Sequence, residues 1–238
     1  MIVLENFSKS YGRHTAVENL SFSAESACIT ALAGLNGAGK TTVLKAICGI
    51  HRADSGLVSV NGIDTAENPV EAASLIGFMS EHAVFPPFFT VYEFLYGEAL
   101  ILCEAQKAAG NLERVMSLCD LEALANRKIA SLSNGEKKRT ALARSLLSDP
   151  EILILDEPAS GLDPAQSARM RSLIAAAGKT KTVLFSTHLI HEMENLCTEI
   201  VILHKGRLAA QGSVSSLCVQ TGADNLETAF LRITGEEH

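Results

Sequence analysis

The stretch "CITALAGLNGAGKTT", Cys28 to Thr42, constrains this chain more than any other. The apolar run "CITALAG" reads as a strand. "KTTVLKAICGI" follows with helical spacing at Val43, Leu44 and Ile47 and stops at Gly49. Between them, "GLNGAGKTT" fits G-x-x-x-x-G-K-S/T, a pattern that has meaning when a strand leads into it and a helix leaves it. Glycines let the backbone wrap closely around phosphates. The loop N–H groups and the helix N-terminus supply partial positive charge. On this reading Gly34, Asn36, Gly37, Ala38 and Gly39 form a phosphate cradle. Lys40 reaches the β- and γ-phosphates, Thr41 ligates Mg²⁺ and Thr42 lies near the α-phosphate.

The rest of the chain supplies a scaffold for such a loop. "EILILDEP" is a continuous apolar strand of the kind buried on both faces of a parallel sheet, and "TVLFSTH" and "EIVILHKG" are two more. Helices are expected near residues 164–177 and 188–197. Strands alternating with helices predict an α/β fold with a mainly parallel core sheet. A stretch rich in Leu, Ala and Glu interrupts the alternation, which predicts an inserted α-helical lobe at about residues 83–148. "IVLENFS", "LSFSA" and "GLVSVNG" predict an N-terminal antiparallel β lobe built from about residues 1–30 and 57–80. The expectation is one domain, residues 1–238, with three lobes.

Composition excludes several function classes. The net charge of −7 argues against a nucleic-acid binder that relies on a bulk basic field. The most apolar helical run, "FLYGEALILC", is broken by Glu98 and is too short to span a bilayer. The opening "MIVLENFSKSYG" lacks the pattern of a secretory signal. A cytoplasmic protein that docks onto a membrane partner is expected. The six cysteines match no zinc spacing and are read as reduced, unreactive thiols.

A phosphate loop needs an acidic partner for its metal. "ILILDEP" supplies Asp156 at the end of a buried strand, to hold the metal directly or through water. Glu157 follows, placed to face a water in line with the γ-phosphate; a base there is worth ~10²–10⁴ in rate. His188, in "STHLIHE", is by itself more often a helix cap or a packed core residue, and only the rest of the constellation raises it. His191, one turn on, reads as a surface residue. "LSNGE", Leu132 to Glu136, has two compatible readings. Ser133 and Glu136 have the spacing of a capping box, and a helix N-terminus is also an anion site.

Together "GLNGAGKTT", "LSNGEKKR", "ILILDEPASGLDP" and "STH", in this order, resemble the nucleotide-binding subunit of an ABC transporter across nearly the whole chain. The resemblance implies a P-loop NTPase of the ABC ATPase type that binds ATP and Mg²⁺. Tyr11 would stack on adenine, Glu157 would be the general base, and His188 would touch the γ-phosphate. Glu81 would offer an oxygen toward Mg²⁺ or water where many members carry Gln. Asp163, in the "SGLD" loop, would link two ATP sites across a dimer. "LSNGE" resembles the signature LSGGQ, with Asn134 for the first Gly and Glu136 for the Gln. Asn tolerates left-handed angles, so the loop is expected to keep its shape. Glu136 is expected to face outward or to cap its own helix. Ser133, Asn134, Gly135 and Glu136 would act in trans, on ATP held by a second ATPase subunit, identical or not. Residues 83–90 would face a transmembrane permease, the route of membrane contact, on the cytoplasmic face of the cell membrane. The tail "DNLETAFLRITGEEH" resembles exporter subunits, so export is expected. The alternative is a soluble ABC ATPase acting in protein complex assembly or repair.

Overall fold

The computed structural model describes residues 1–190 and 196–236. Two sheets organise it. In the first, β1 (Ile2–Tyr11), β2 (His14–Ala24), β4 (Ser55–Val60) and β5 (Ile63–Asp64) lie in the order β2-β1-β4-β5, all antiparallel. In the second, β3 (Ile29–Ala33), β6 (Ile76–Met79), β7 (Ile152–Leu155), β8 (Thr182–Thr187), β9 (Glu199–His204) and β10 (Arg207–Gly212) run in the order β10-β9-β3-β8-β7-β6. Its neighbours are parallel except β9 and β10. This is the expected combination of a β lobe and a mainly parallel core.

Side-chain alternation sorts the core strands between two hydrophobic clusters. Ile152, Ile154, Leu184, Val201 and Leu203 point toward α1 (Lys40–Ile47) and the β lobe. Leu153, Leu155, Val183, Phe185, Ile200 and Ile202 point to the opposite side. There they meet α6 (Pro164–Ala177) and the helical insert of α3 (Val91–Leu102), α4 (Ala105–Leu118) and α5 (Asn134–Leu146). Burial on both faces is why β3, β7 and β8 read as continuous apolar runs. The remaining helices are α2 (Pro69–Ser74), α7 (Val214–Thr221) and α8 (Leu226–Thr234).

Two expectations are corrected. Residues 76–79, assigned to the β lobe, form β6 at the edge of the core, in parallel register with β7. Gly77 is the reason α5 can lie across this strand, since a Cβ there would overlap the Ser145 carbonyl. Residues 29–30 likewise belong to core strand β3. Strand β10 was indicated by no sequence pattern. It returns from β9 through Lys205 and Gly206, both at positive φ (48° and 77°), the geometry of a two-residue hairpin turn. His191 and the middle of the helix expected at 188–197, residues 191–195, lie outside the described residues.

Candidate nucleotide site

The phosphate loop joins β3 to α1. Gly37 and Gly39 take φ of 82° and 104°, which a residue with a Cβ rarely adopts. At Gly39 a Cβ would also press on the Ala16 carbonyl at 2.7 Å. The loop edges a cavity of about 630 Å³ lined by Leu35 through Thr42, with Tyr11, His14 and Ala16 on one side and Glu81, Glu157, Ser160 and His188 on the other. Gly34 does not line it. Its carbonyl accepts from Lys40 Nζ at 2.7 Å, and its missing Cβ makes room for the Leu203 carbonyl. Tyr11 stands half-exposed, edge-on to His51 at 5.6 Å between centroids.

The acidic pair sits at the far side of the loop. Asp156 is buried and accepts from Thr41 Oγ1 at 2.9 Å and from Ser186 Oγ at 2.7 Å. Thr41 and Asp156 thus present an all-oxygen pair suited to a hard cation such as Mg²⁺. Among the described residues no group of three His, Cys, Asp or Glu could cage a metal, so such an ion would draw further ligands from phosphate and water. Glu81 reaches the same cavity.

Glu157 is held at every polar atom. Its backbone is left-handed, with φ of 46°. Its N–H donates to Ser186 Oγ at 2.8 Å, and its carbonyl accepts from Lys138 Nζ at 2.8 Å. One carboxylate oxygen is 3.3 Å from Lys40 Nζ and the other 2.8 Å from His188 Nδ1. The structure therefore brings together Lys40, Thr41, Asp156, Glu157 and His188, as the sequence led us to expect. Sequence reasoning missed His14 and Ser160 in the lining and Ser186 and Lys138 behind it. Ser186 was visible only as part of "STH". Lys138 carried no signal beyond being a lysine inside a helix. Burial pushes the Lys138 ammonium below the usual lysine range, against the pull of Glu81, Glu157 and Asp156.

The "LSNGE" residues lie elsewhere. None of Ser133, Asn134, Gly135 and Glu136 lines the phosphate-loop cavity. Ser133, Gly135 and Glu136 border a separate pocket of about 230 Å³ with Arg139, Gln166 and Arg169. Ser133 caps α5 in a full capping box: its Oγ accepts from Glu136 N–H, and Glu136 Oε2 accepts from Ser133 N–H at 2.7 Å. Glu136 Oε1 also pairs with Arg127 at 2.8 Å. These partners hold its carboxyl below the usual glutamate range, the Ser133 amide contributing most. Glu136 thus caps its own helix, as expected. The expectation for Asn134 is corrected in its reason. Asn134 is the first residue of α5 and has no left-handed angle; its amide instead donates to the Gly161 carbonyl at 3.0 Å. Asp163 is exposed and caps α6, accepting from Gln166 N–H at 2.9 Å.

All six cysteines are free. Burial pushes the Cys48, Cys119 and Cys197 thiols up to about 12, so these three stay protonated and weakly nucleophilic.

Residues 17–160 match the family described as ABC transporter. The Nod factor export ATP-binding protein I of Burkholderia orbicola is 36% identical over 232 residues, spanning 95% of this chain and 75% of that protein. A solved ATP binding subunit of an ABC transporter superposes with a TM-score of 0.88 at 27% identity, covering 98% of this chain and 99% of that one. The dimeric bacterial cassette MJ0796 shares the fold with a TM-score of 0.80 at 24% identity, over 90% of this chain and 98% of that one.

Proposed function

The chain belongs to the ABC transporter family as an ATP-hydrolysing subunit, and we propose that two such subunits close around two ATP molecules to drive export through a separate transmembrane permease. The observation that carries the dimer reading is the separation of the two half-sites. Lys40 and Glu157 share one cavity, while Ser133, at a helix N-terminus suited to phosphate, opens into another. A head-to-tail pair would bring each "LSNGE" turn to its partner's ATP. A bacterial ABC transporter cassette of the same fold was solved as a dimer, which supports pairing of two such chains.

Within one site, the loop amides and Lys40 bind the phosphates and Tyr11 takes the adenine. Phosphate oxygens replace Glu157 as the partner of Lys40, which frees the carboxylate to take a proton from water in line with the γ-phosphate. His188 keeps its hold on the other carboxylate oxygen and so orients the base. Thr41 and Asp156, with Glu81 nearby, would hold Mg²⁺, whose charge offsets that of the β- and γ-phosphates.

The permease reading rests on an exposed apolar face. Val84 and Phe88 are 93% and 83% exposed, and Tyr92, Tyr96 and Leu100 continue from Phe88 at four-residue spacing along α3. A patch of this kind marks a protein partner. Among the described residues no helix is long and apolar enough to cross a membrane. The export direction follows the name of the Burkholderia relative.

Ser133→Arg tests the reading. It should abolish turnover while ATP binding to the monomer stays intact. If monomer binding falls equally, the turn acts within its own chain and the dimer scheme fails. Affinity purification from membranes tests the second half: a co-purifying permease is expected, and a soluble assembly partner in its place would overturn the transport role.

A further inference from the structure

Lys138 is a buried cation that the roles above leave unused. It lies on α5, five residues beyond Ser133, a helical rise of about 7.5 Å. Only 7% of it is exposed, and an ammonium so placed needs firm partners. Its partners are the backbone carbonyls of Glu157, at 2.8 Å, and Glu81, at 3.1 Å. Those are the two segments that the chemistry needs fixed. Glu157 holds a left-handed backbone that a residue with a side chain keeps only when its surroundings impose it. Ser186 fixes its N–H from β8. Its carbonyl is fixed by the neighbouring Ser160 N–H, at 3.2 Å, and by Lys138. Of these ties only Lys138 comes from the helical lobe.

We infer that Lys138 is a positioning residue that ties the state of the "LSNGE" turn to the general base in its own chain's ATP site. The inference rests on the reading that this turn engages the partner's ATP. Helix α5 then has its first turn on one ATP site and its second turn on the base of the other. Drawing α5 toward the partner moves the Glu157 carbonyl with it, so each site's base is set by the occupancy of the other. The second tie, to Glu81, leads into the loop at 83–90 and brings the proposed permease face into the same linkage.

The test uses the full chain with Lys138→Met, which keeps an unbranched stem one atom shorter than lysine but removes charge and donor, and Lys138→Arg, which keeps both. ATP turnover is measured against ATP concentration, and ATP affinity is measured separately without Mg²⁺. For Lys138→Met, kcat should fall about tenfold or more, the penalty of a displaced catalytic group. ATP affinity should stay within about threefold, because Lys138 does not line the phosphate-loop cavity and makes none of the nucleotide contacts described above. The Hill coefficient should drop toward one, and Lys138→Arg should recover part of both rate and cooperativity. A merely structural role would lower rate and affinity together. That result, or a wild-type kcat and Hill coefficient in Lys138→Met, overturns the inference. Should the Met variant not fold, Lys138→Gln decides by the same readings, being as short as Met and uncharged but polar. Glu157→Gln separates the two levels. Failure of that chain to dimerise on ATP removes the dimer reading and this inference with it. Normal dimerisation alongside normal turnover in Lys138→Met removes only the role of Lys138.

Discussion

Ser186→Ala removes one hydroxyl with two duties. In the native site Ser186 Oγ donates to Asp156 Oδ1 at 2.7 Å and accepts from Glu157 N–H at 2.8 Å. Ser186 is fully buried, so water cannot take either place. Loss of a hydrogen bond to a carboxylate costs about 1.5–3 kcal/mol, and an orphaned buried N–H costs about 1–3 kcal/mol. The two effects share one atom and will not add fully, so a net destabilisation of about 3 kcal/mol is expected. For a chain of this size each kcal/mol lowers the melting temperature by about 2–4 °C, which gives a drop of about 6–12 °C. Function should suffer separately. Asp156 keeps its bond to Thr41, but Glu157 loses the restraint on its N–H side. A base displaced by an ångström costs up to ~10² in rate, so kcat should fall while KM for ATP changes little. Thermal unfolding by circular dichroism and steady-state turnover check both parts. A melting temperature within about 2 °C of wild type together with an unchanged kcat would refute the claim that Ser186 braces the acidic pair.

Other consequences are independent of that pair. Thr30 Oγ1 on β3 is the one buried side-chain polar atom among the described residues without a hydrogen-bond partner. Thr30→Val keeps the shape and removes the orphan, so it should stabilise the fold by about 1 kcal/mol, read from denaturant unfolding; destabilisation would mean the hydroxyl is satisfied. Glu136 supplies a pH signature. Its folded-state carboxyl lies below the usual value, so its contribution is present above about pH 4.3 and lost as pH falls through the lower folded value. Glu136→Gln should therefore be less stable than wild type at neutral pH by about 0.5–1 kcal/mol, with the gap closing in acid. A gap that widens in acid would contradict the assignment.

Much of the site could be read from residue order because its chemistry is local. The phosphate loop, the Asp156–Glu157 pair and the Ser133–Glu136 capping box each span a few residues, and each names its own partners. What escaped notice depends on distant backbone. Lys138 is defined by carbonyls 57 and 19 residues away, and a carbonyl carries no residue identity for a sequence pattern to register. Residues Ile76–Met79 follow the β-lobe strands closely in the chain, and only their register with Ile152–Leu155 assigns them to the core. The last strand, "RLAAQG", is an exposed to half-buried edge with two alanines, and neighbouring β9 rather than its own composition makes it extended. Asn134 shows the same limit from another side. Its tolerance of unusual backbone angles suggested a reason for its presence, but the structure uses its amide as a donor across to the "SGLD" loop.

The central claim is that ATP joins two copies of this chain, each completing the other's site. Glu157→Gln should bind ATP, lose its base and accumulate in the closed state. Light scattering on the purified variant is the direct measurement. With ATP and Mg²⁺ the account requires a species of twice the 25.3 kDa chain mass, returning to the monomer with ADP or when Ser133→Arg is added. A Glu157→Gln chain that binds ATP stoichiometrically and stays at the monomer mass contradicts it.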